Sequence, residues 1–188
     1  MGAVMRGVKR VGGVPDSRPR RLRIAAAAVA ALALCAGSPV PASEDTRDPL
    51  MGRTRPAAIL DVAPEWREGY DAYRPDAADL EAIRHAPPGS LLMVYFGSWC
   101  SDSRIGVPHL LKILDEARAP HLKTRYVGVD RSKKKPARRL DGVGLDLVPT
   151  FVLSVDGREI GRIIETPATT LEHDLALLVG KAAPPPNP

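Results

Sequence analysis

The chain has 188 residues, 44% apolar and 4% aromatic, with 27 Lys and Arg against 22 Asp and Glu for a net charge of +5. That length and apolar content suit one ordinary domain with an attachment and exclude a wholly disordered chain, a collagen and a disulfide-dense mini-protein. The positive balance would suggest nucleic acid or an acidic membrane surface, but seven cations and one acid fall in residues 1–42, leaving 20 cations against 21 acids in 43–188.

The leader therefore carries the charge. Arg18 to Arg23 abut an apolar run, Ile24 to Ala36, followed by Gly37-Ser38-Pro39, Val40-Pro41-Ala42 and polar Ser43. A basic stretch, a short apolar stretch and a small-residue site in this order predict a signal peptide over 1–42, cut after Ala42. The apolar run is too short for a comfortable helical span, which takes about 20 residues. Arg20-Arg21 fits a twin-arginine signal loosely, and Leu32-Ala33-Leu34-Cys35 fits a lipobox poorly because Leu34 is bulky. Cleavage after Ala42 discards Cys35 and leaves Cys100, one of two cysteines in the chain, alone in an export compartment, periplasmic or extracellular.

Residues 43–75 read as an N-terminal extension. Ser43 to Arg55 is charged and poor in apolar residues, which predicts a flexible tether. Ala58 to Val62 predicts a short strand. Trp66, Tyr70 and Tyr73 recur at helical spacing and predict a short helix with one packing face. Residues 76–180 read as the main domain. Asp76 to His85 predicts a helix stopped by Pro87-Pro88-Gly89, and Leu91 to Phe96 a strand buried on both faces. Gly97 to Ser103 reads as a turn, followed by a helix to about Arg118 that contains Pro108. Thr124 to Asp130 predicts a second buried strand. Thr150 to Val155 and Glu159 to Glu165 predict two strands joined at Asp156-Gly157, a dipeptide typical of two-residue hairpins. Thr169 to Val179 predicts a closing helix, and 181–188 a Pro-rich tail. The order is β-α-β then β-β-α, an α/β fold with a mixed central sheet flanked by helices.

Cys100 falls where a buried strand gives way to a helix. A thiol there meets unpaired backbone N–H groups and the positive end of the helix dipole, both of which favour thiolate. Asp102 adds a negative charge that opposes it. His85, His109, His121 and His173 show no metal-ligand spacing, and no phosphate loop or Gly-x-Ser-x-Gly elbow occurs. No metal or cofactor is therefore expected. His109 follows Pro108 in the helix after Cys100 and reads as a partly exposed helix residue, with approach to the thiol as the alternative. Arg131, Lys133, Lys134, Lys135, Arg138 and Arg139 form the one concentrated basic patch, read as a solvated loop and helix face, with an anion or acidic-partner site as the alternative.

Trp99-Cys100-x-x-Ser103 after a strand, Pro108 five residues on, and Val148-Pro149-Thr150 opening a hairpin together resemble the thioredoxin-like superfamily. The block Phe96-Gly97-Ser98-Trp99-Cys100-Ser101-Asp102-Ser103 looks most like exported bacterial members with Cys-x-Asp-Ser in place of Cys-x-x-Cys. The resemblance implies that Cys100 is the nucleophile, that Pro149 follows a cis peptide bond beside the thiol, and that Trp99, Val148 and Thr150 border the substrate. Ser103 stands where the resolving cysteine would be, and a hydroxyl cannot attack a mixed disulfide. Val94 stands where thioredoxins carry a buried Asp that moves the resolving thiol's proton. Three functions follow as alternatives. The first is monothiol thiol–disulfide exchange with protein or low-molecular-weight partners. The others are a non-catalytic module holding extended peptides beside Pro149 and a thiol that records oxidants as sulfenic acid. A monomer is expected, with neither a nucleic-acid partner nor a transmembrane span after cleavage.

Overall fold

The computed structural model describes residues 50–182; the expected leader, Cys35, residues 43–49 of the expected tether and 183–188 of the tail lie outside them. Five strands form one sheet: β1 (Gly52–Thr54), β2 (Ser90–Phe96), β3 (Lys123–Gly128), β4 (Thr150–Val155) and β5 (Arg158–Ile164), in the order β1-β3-β2-β4-β5. β2 and β3 are parallel, joined through helix α4 (Ser101–Ala117), while β2–β4, β4–β5 and β1–β3 are antiparallel. The remaining helices are α1 (Pro56–Leu60), α2 (Pro64–Ala72), α3 (Ala77–Arg84), α5 (Ala137–Leu140) and α6 (Leu171–Ala182). This is the β-α-β then β-β-α arrangement of a thioredoxin-like fold, with a mixed sheet at its centre.

Side-chain alternation along β2 serves both faces of the sheet. Leu92, Val94 and Phe96 enter the larger core with Trp66 of α2, Ile83 of α3, Val107 and Leu110 of α4, and Leu175 of α6. Tyr95 and Met93 face the other way, into a smaller cluster with Val127, Val129, Val148 and Val152, which Leu140, Val143 and Leu145 help to cover. Helices α1, α2, α3, α4 and α6 thus cover one face, whereas the long β3–β4 connection with short α5 covers the other.

The chain enters the sheet differently from expectation. Residues 50–55 are not a free tether: Leu50 is buried in the larger core, and β1 pairs with the edge of β3, Gly52 opposite Gly128. A Cβ on Gly128 would lie 1.9 Å from the Leu50 carbonyl oxygen, so this close approach needs glycine. The strand expected over 58–62 is instead α1. Pro56 sits in its first turn, where a missing N–H costs nothing, and one helical turn buries Ile59 and Leu60 side by side. The Trp66–Tyr70–Tyr73 stripe packs as expected, Trp66 meeting Phe96 edge-on at 6.0 Å. α4 begins at Ser101, two residues before the expected end of the turn, and stops at Arg118 in the left-handed conformation. The hairpin turn is formed by Asp156 and Gly157, both at positive φ, the geometry that matches strand twist. α6 runs on to Ala182, two residues into the expected tail.

Candidate active site at Cys100

Parallel strands leave their carboxyl ends on one edge, and the turn from β2 into α4 puts Cys100 there as the residue preceding the helix. Its backbone is extended (φ −94°, ψ 128°), and its amide donates to Gly97 O at 3.0 Å. The side chain is half-buried against the smaller cluster. The S–H donates to the Val148 carbonyl at 3.1 Å and lies 3.9 Å from Asp102 Oδ2. The Val148–Pro149 bond is cis, as the resemblance implies; a second cis bond, Lys135–Pro136, was not foreseen.

Each remaining site residue has a definite place. Ser103, on the first turn of α4, is fully buried, and its Oγ accepts from the Gly97 amide at 3.2 Å. Thr150 Oγ1 donates to Leu147 O at 2.7 Å and closes the loop that carries Val148 and Pro149, while the Glu165 amide donates to Pro149 O at 2.6 Å. Trp99 donates from Nε1 to Val129 O at 3.0 Å and packs on the smaller cluster. Val94 is fully buried, opposite Tyr126 on β3 and Phe151 on β4. An apolar side chain suits that position, where a carboxylate would lack partners.

A cavity of about 360 Å³ opens along α4 beyond Asp102. Asp102, Ile105, Gly106 and His109 line one wall at helical spacing, and Phe151 and the 165–171 segment line the rest. Ile105 is 59% exposed there. His109 stacks on Tyr73 with ring centroids 3.8 Å apart and nearly parallel planes. Burial pushes its imidazole below the ordinary value, against the opposing charge of Glu172. It is therefore a packed, half-buried residue of the cavity wall and not a partner of the sulfur. Among the described residues no cluster of His, Cys, Asp and Glu is arranged to hold a metal, and no helix is long and apolar enough to cross a membrane.

Two features beside Trp99 escaped the sequence reading. The Arg131 guanidinium lies over the Trp99 ring, 5.2 Å from its centroid. Asp130 anchors the loop behind it, accepting from the amides of Lys134 and Lys135 at 2.9 Å each. Burial pulls the Asp130 carboxyl upward, but the Ser132 hydroxyl, these two amides and the Lys135 charge together hold it below its ordinary value. The signal was the position of Asp130 at the end of β3, one residue before the basic run; only the fold brings that run beside Trp99.

No family model matches the chain, and no curated protein matches it. Among solved structures it is similar to a Pseudomonas aeruginosa protein of unknown function, at 17% identity and TM-score 0.49 over 66% of this chain and 89% of that one. It is also similar to Trxlp from Edwardsiella tarda, at 19% identity and TM-score 0.39 over 56% of this chain and 94% of that one. A third is the thioredoxin of Fasciola hepatica, at 22% identity and TM-score 0.38 over 57% of this chain and 94% of that one.

Proposed function

We propose that the chain works in thiol–disulfide exchange through Cys100 alone, forming mixed disulfides that an external thiol releases. The observation that carries this reading is a sulfur held at the start of α4, 3.1 Å from Val148 O beside a cis Val148–Pro149 bond, with the buried Ser103 hydroxyl where a second sulfur would stand. In the first step Cys100 loses its proton to solvent and its thiolate attacks one sulfur of a substrate disulfide. A Cys100–sulfur bond forms, the substrate S–S bond breaks, and the departing thiolate takes a proton from water. Ser103 cannot attack the new bond, so a second thiolate, from a protein or a low-molecular-weight thiol, must do so and regenerate Cys100. Val148, Pro149 and Thr150 would hold an extended segment, Trp99 would flank it, and no metal or cofactor takes part. Residues 1–42 would direct the chain to the periplasm or beyond, a compartment where substrate disulfides persist.

The cavity along α4, with Ile105 exposed at its wall, favours a second reading in which peptides are held without covalent capture. Cys100→Ala separates the two. Capture of a disulfide-bearing peptide, read on a non-reducing gel, is expected to vanish in the variant. Equal retention of that peptide by wild type and variant, with no reducible adduct in either, would establish the second reading instead.

A further inference from the structure

The basic run of 131–139 takes no part in the exchange chemistry, yet the fold sets its first residue, Arg131, over the ring of Trp99 beside Cys100 in the chain. Six cations lie within nine residues; all but Lys133 are exposed. Among the described residues none of the six makes an ion pair. The adjacent Asp130 carboxylate, held by Ser132 and two backbone amides, offsets one of these six charges and leaves the run strongly positive. Lys133, Lys134, Arg138, Leu140 and the exposed Asp141 line an open cavity of about 480 Å³. The patch meets the active site twice: Arg131 lies over Trp99, and Leu140 packs on the same small cluster as Trp99 and Cys100. The cavity along α4 carries the opposite charge, lined by Asp102 and Glu165.

We infer that the disulfides Cys100 attacks are carried on acidic polypeptide segments, whose carboxylates dock on Lys134, Arg138, Arg139 and their neighbours while the sulfur is presented beside Trp99. The inference rests on the single-thiol reading above and specifies its substrate class. An acidic polypeptide fits better than an anionic lipid surface. Arg131 lies over the ring of Trp99, the residue before Cys100, while Lys133, Lys134 and Arg138 surround a concavity containing Asp141, and α5, with four residues, is too short for the amphipathic helix that interfacial binding uses. Charge of this kind acts mainly on encounter, raising association by about 10- to 1,000-fold at low ionic strength and fading as salt shortens the screening length to about 3 Å at 1 M.

The test uses the full chain and two peptides carrying the same disulfide, one flanked by Asp and Glu and the other by Lys. The rate of adduct formation at Cys100 is followed by quenched mass spectrometry. The acidic peptide is expected to react at least about tenfold faster at low salt, with the ratio approaching one near 1 M. Combining Lys134→Glu, Arg138→Glu and Arg139→Glu should reverse the preference. Circular dichroism checks that the triple variant is folded before its rates are compared, and if it is not, the wild-type ratio and its salt dependence decide alone. Equal rates in wild type, or a preference the triple variant retains, would overturn the inference while leaving single-thiol exchange intact. Equal peptide rates with phosphatidylglycerol-vesicle binding that the triple variant loses would assign the patch to lipid and overturn it too. If neither peptide modifies Cys100, the exchange reading itself falls.

Discussion

At the scale of single residues, the proposed single-thiol chemistry turns on the hydroxyl at position 103. Ser103 is one helical turn beyond Cys100 and fully buried, with its hydroxyl occupied by the Gly97 amide. Ser103→Cys is expected to supply an internal thiol and shorten the lifetime of any mixed disulfide at Cys100, measured by release of the bound peptide without added reductant. An unchanged lifetime would show that position 103 cannot reach the adduct. His109 offers a separate check on the cavity wall. Burial lowers its pKa, so the folded state favours the neutral ring, and the stability this contributes is present above the ordinary histidine value of about 6.5. That stability is lost as pH falls through the folded pKa, because the unfolded chain takes up its proton first. Thermal unfolding of wild type and His109→Gln should therefore differ more at about pH 7.5 than at about pH 5. A difference independent of pH would contradict the buried neutral ring. The place of Cys100 just before α4 and the cis Val148–Pro149 bond were legible in the sequence because both depend on local spacing. Arg131 over Trp99 was not, because 32 positions separate the two and only the packing of the β3–β4 connection closes that gap.

At the scale of elements, the helices over β2 are held by a polar joint as well as by the core. Glu172, on the first turn of α6, is 3% exposed and accepts from the Tyr73 hydroxyl at 2.5 Å and from the Asp76 amide at 3.3 Å. Asp76 in turn caps α3 by accepting from the Ala78 and Asp79 amides, so one carboxylate ties the end of α2, the start of α3 and α6 together. Tyr73→Phe would leave Glu172 buried with a single long bond and should destabilise the fold by about 1.5–3 kcal/mol, the range for a hydrogen bond to a charged group. Denaturant unfolding measures it, and a loss near zero would show that water replaces the phenol. Periodicity located α2, α3 and the β4–β5 hairpin, since each presents one apolar face or an explicit turn dipeptide. It missed β1 and misread α1. A three-residue edge strand leaves almost no alternation to detect, and Ile59-Leu60 beside Val62 satisfies a strand template as well as a single helical turn. Pro56 was the deciding residue there.

At the scale of the whole molecule, the positive charge is gathered into two separate stretches of the sequence. Residues 1–42 hold a surplus of six, whereas 43–188 are close to neutral, yet six cations of that portion are gathered into 131–139, whose first residue lies over the ring of Trp99. A near-neutral chain with so uneven a distribution presents a strong local field to an approaching substrate even though its net charge steers nothing. The sheet explains the arrangement. Helices α1, α2, α3, α4 and α6 fill one face, so the other is left to the β3–β4 connection, which must carry both the basic loop and the Val148–Pro149 bond to the same edge as Cys100. The most direct measurement of single-thiol exchange is the intact mass of the full chain after exposure to a stoichiometric disulfide peptide without reductant, with the modified residue mapped by proteolysis. The expected result is a peptide adduct at Cys100 that persists until an external thiol is added and is absent from Cys100→Ser. An unmodified Cys100, or an adduct there that discharges by itself, would contradict it.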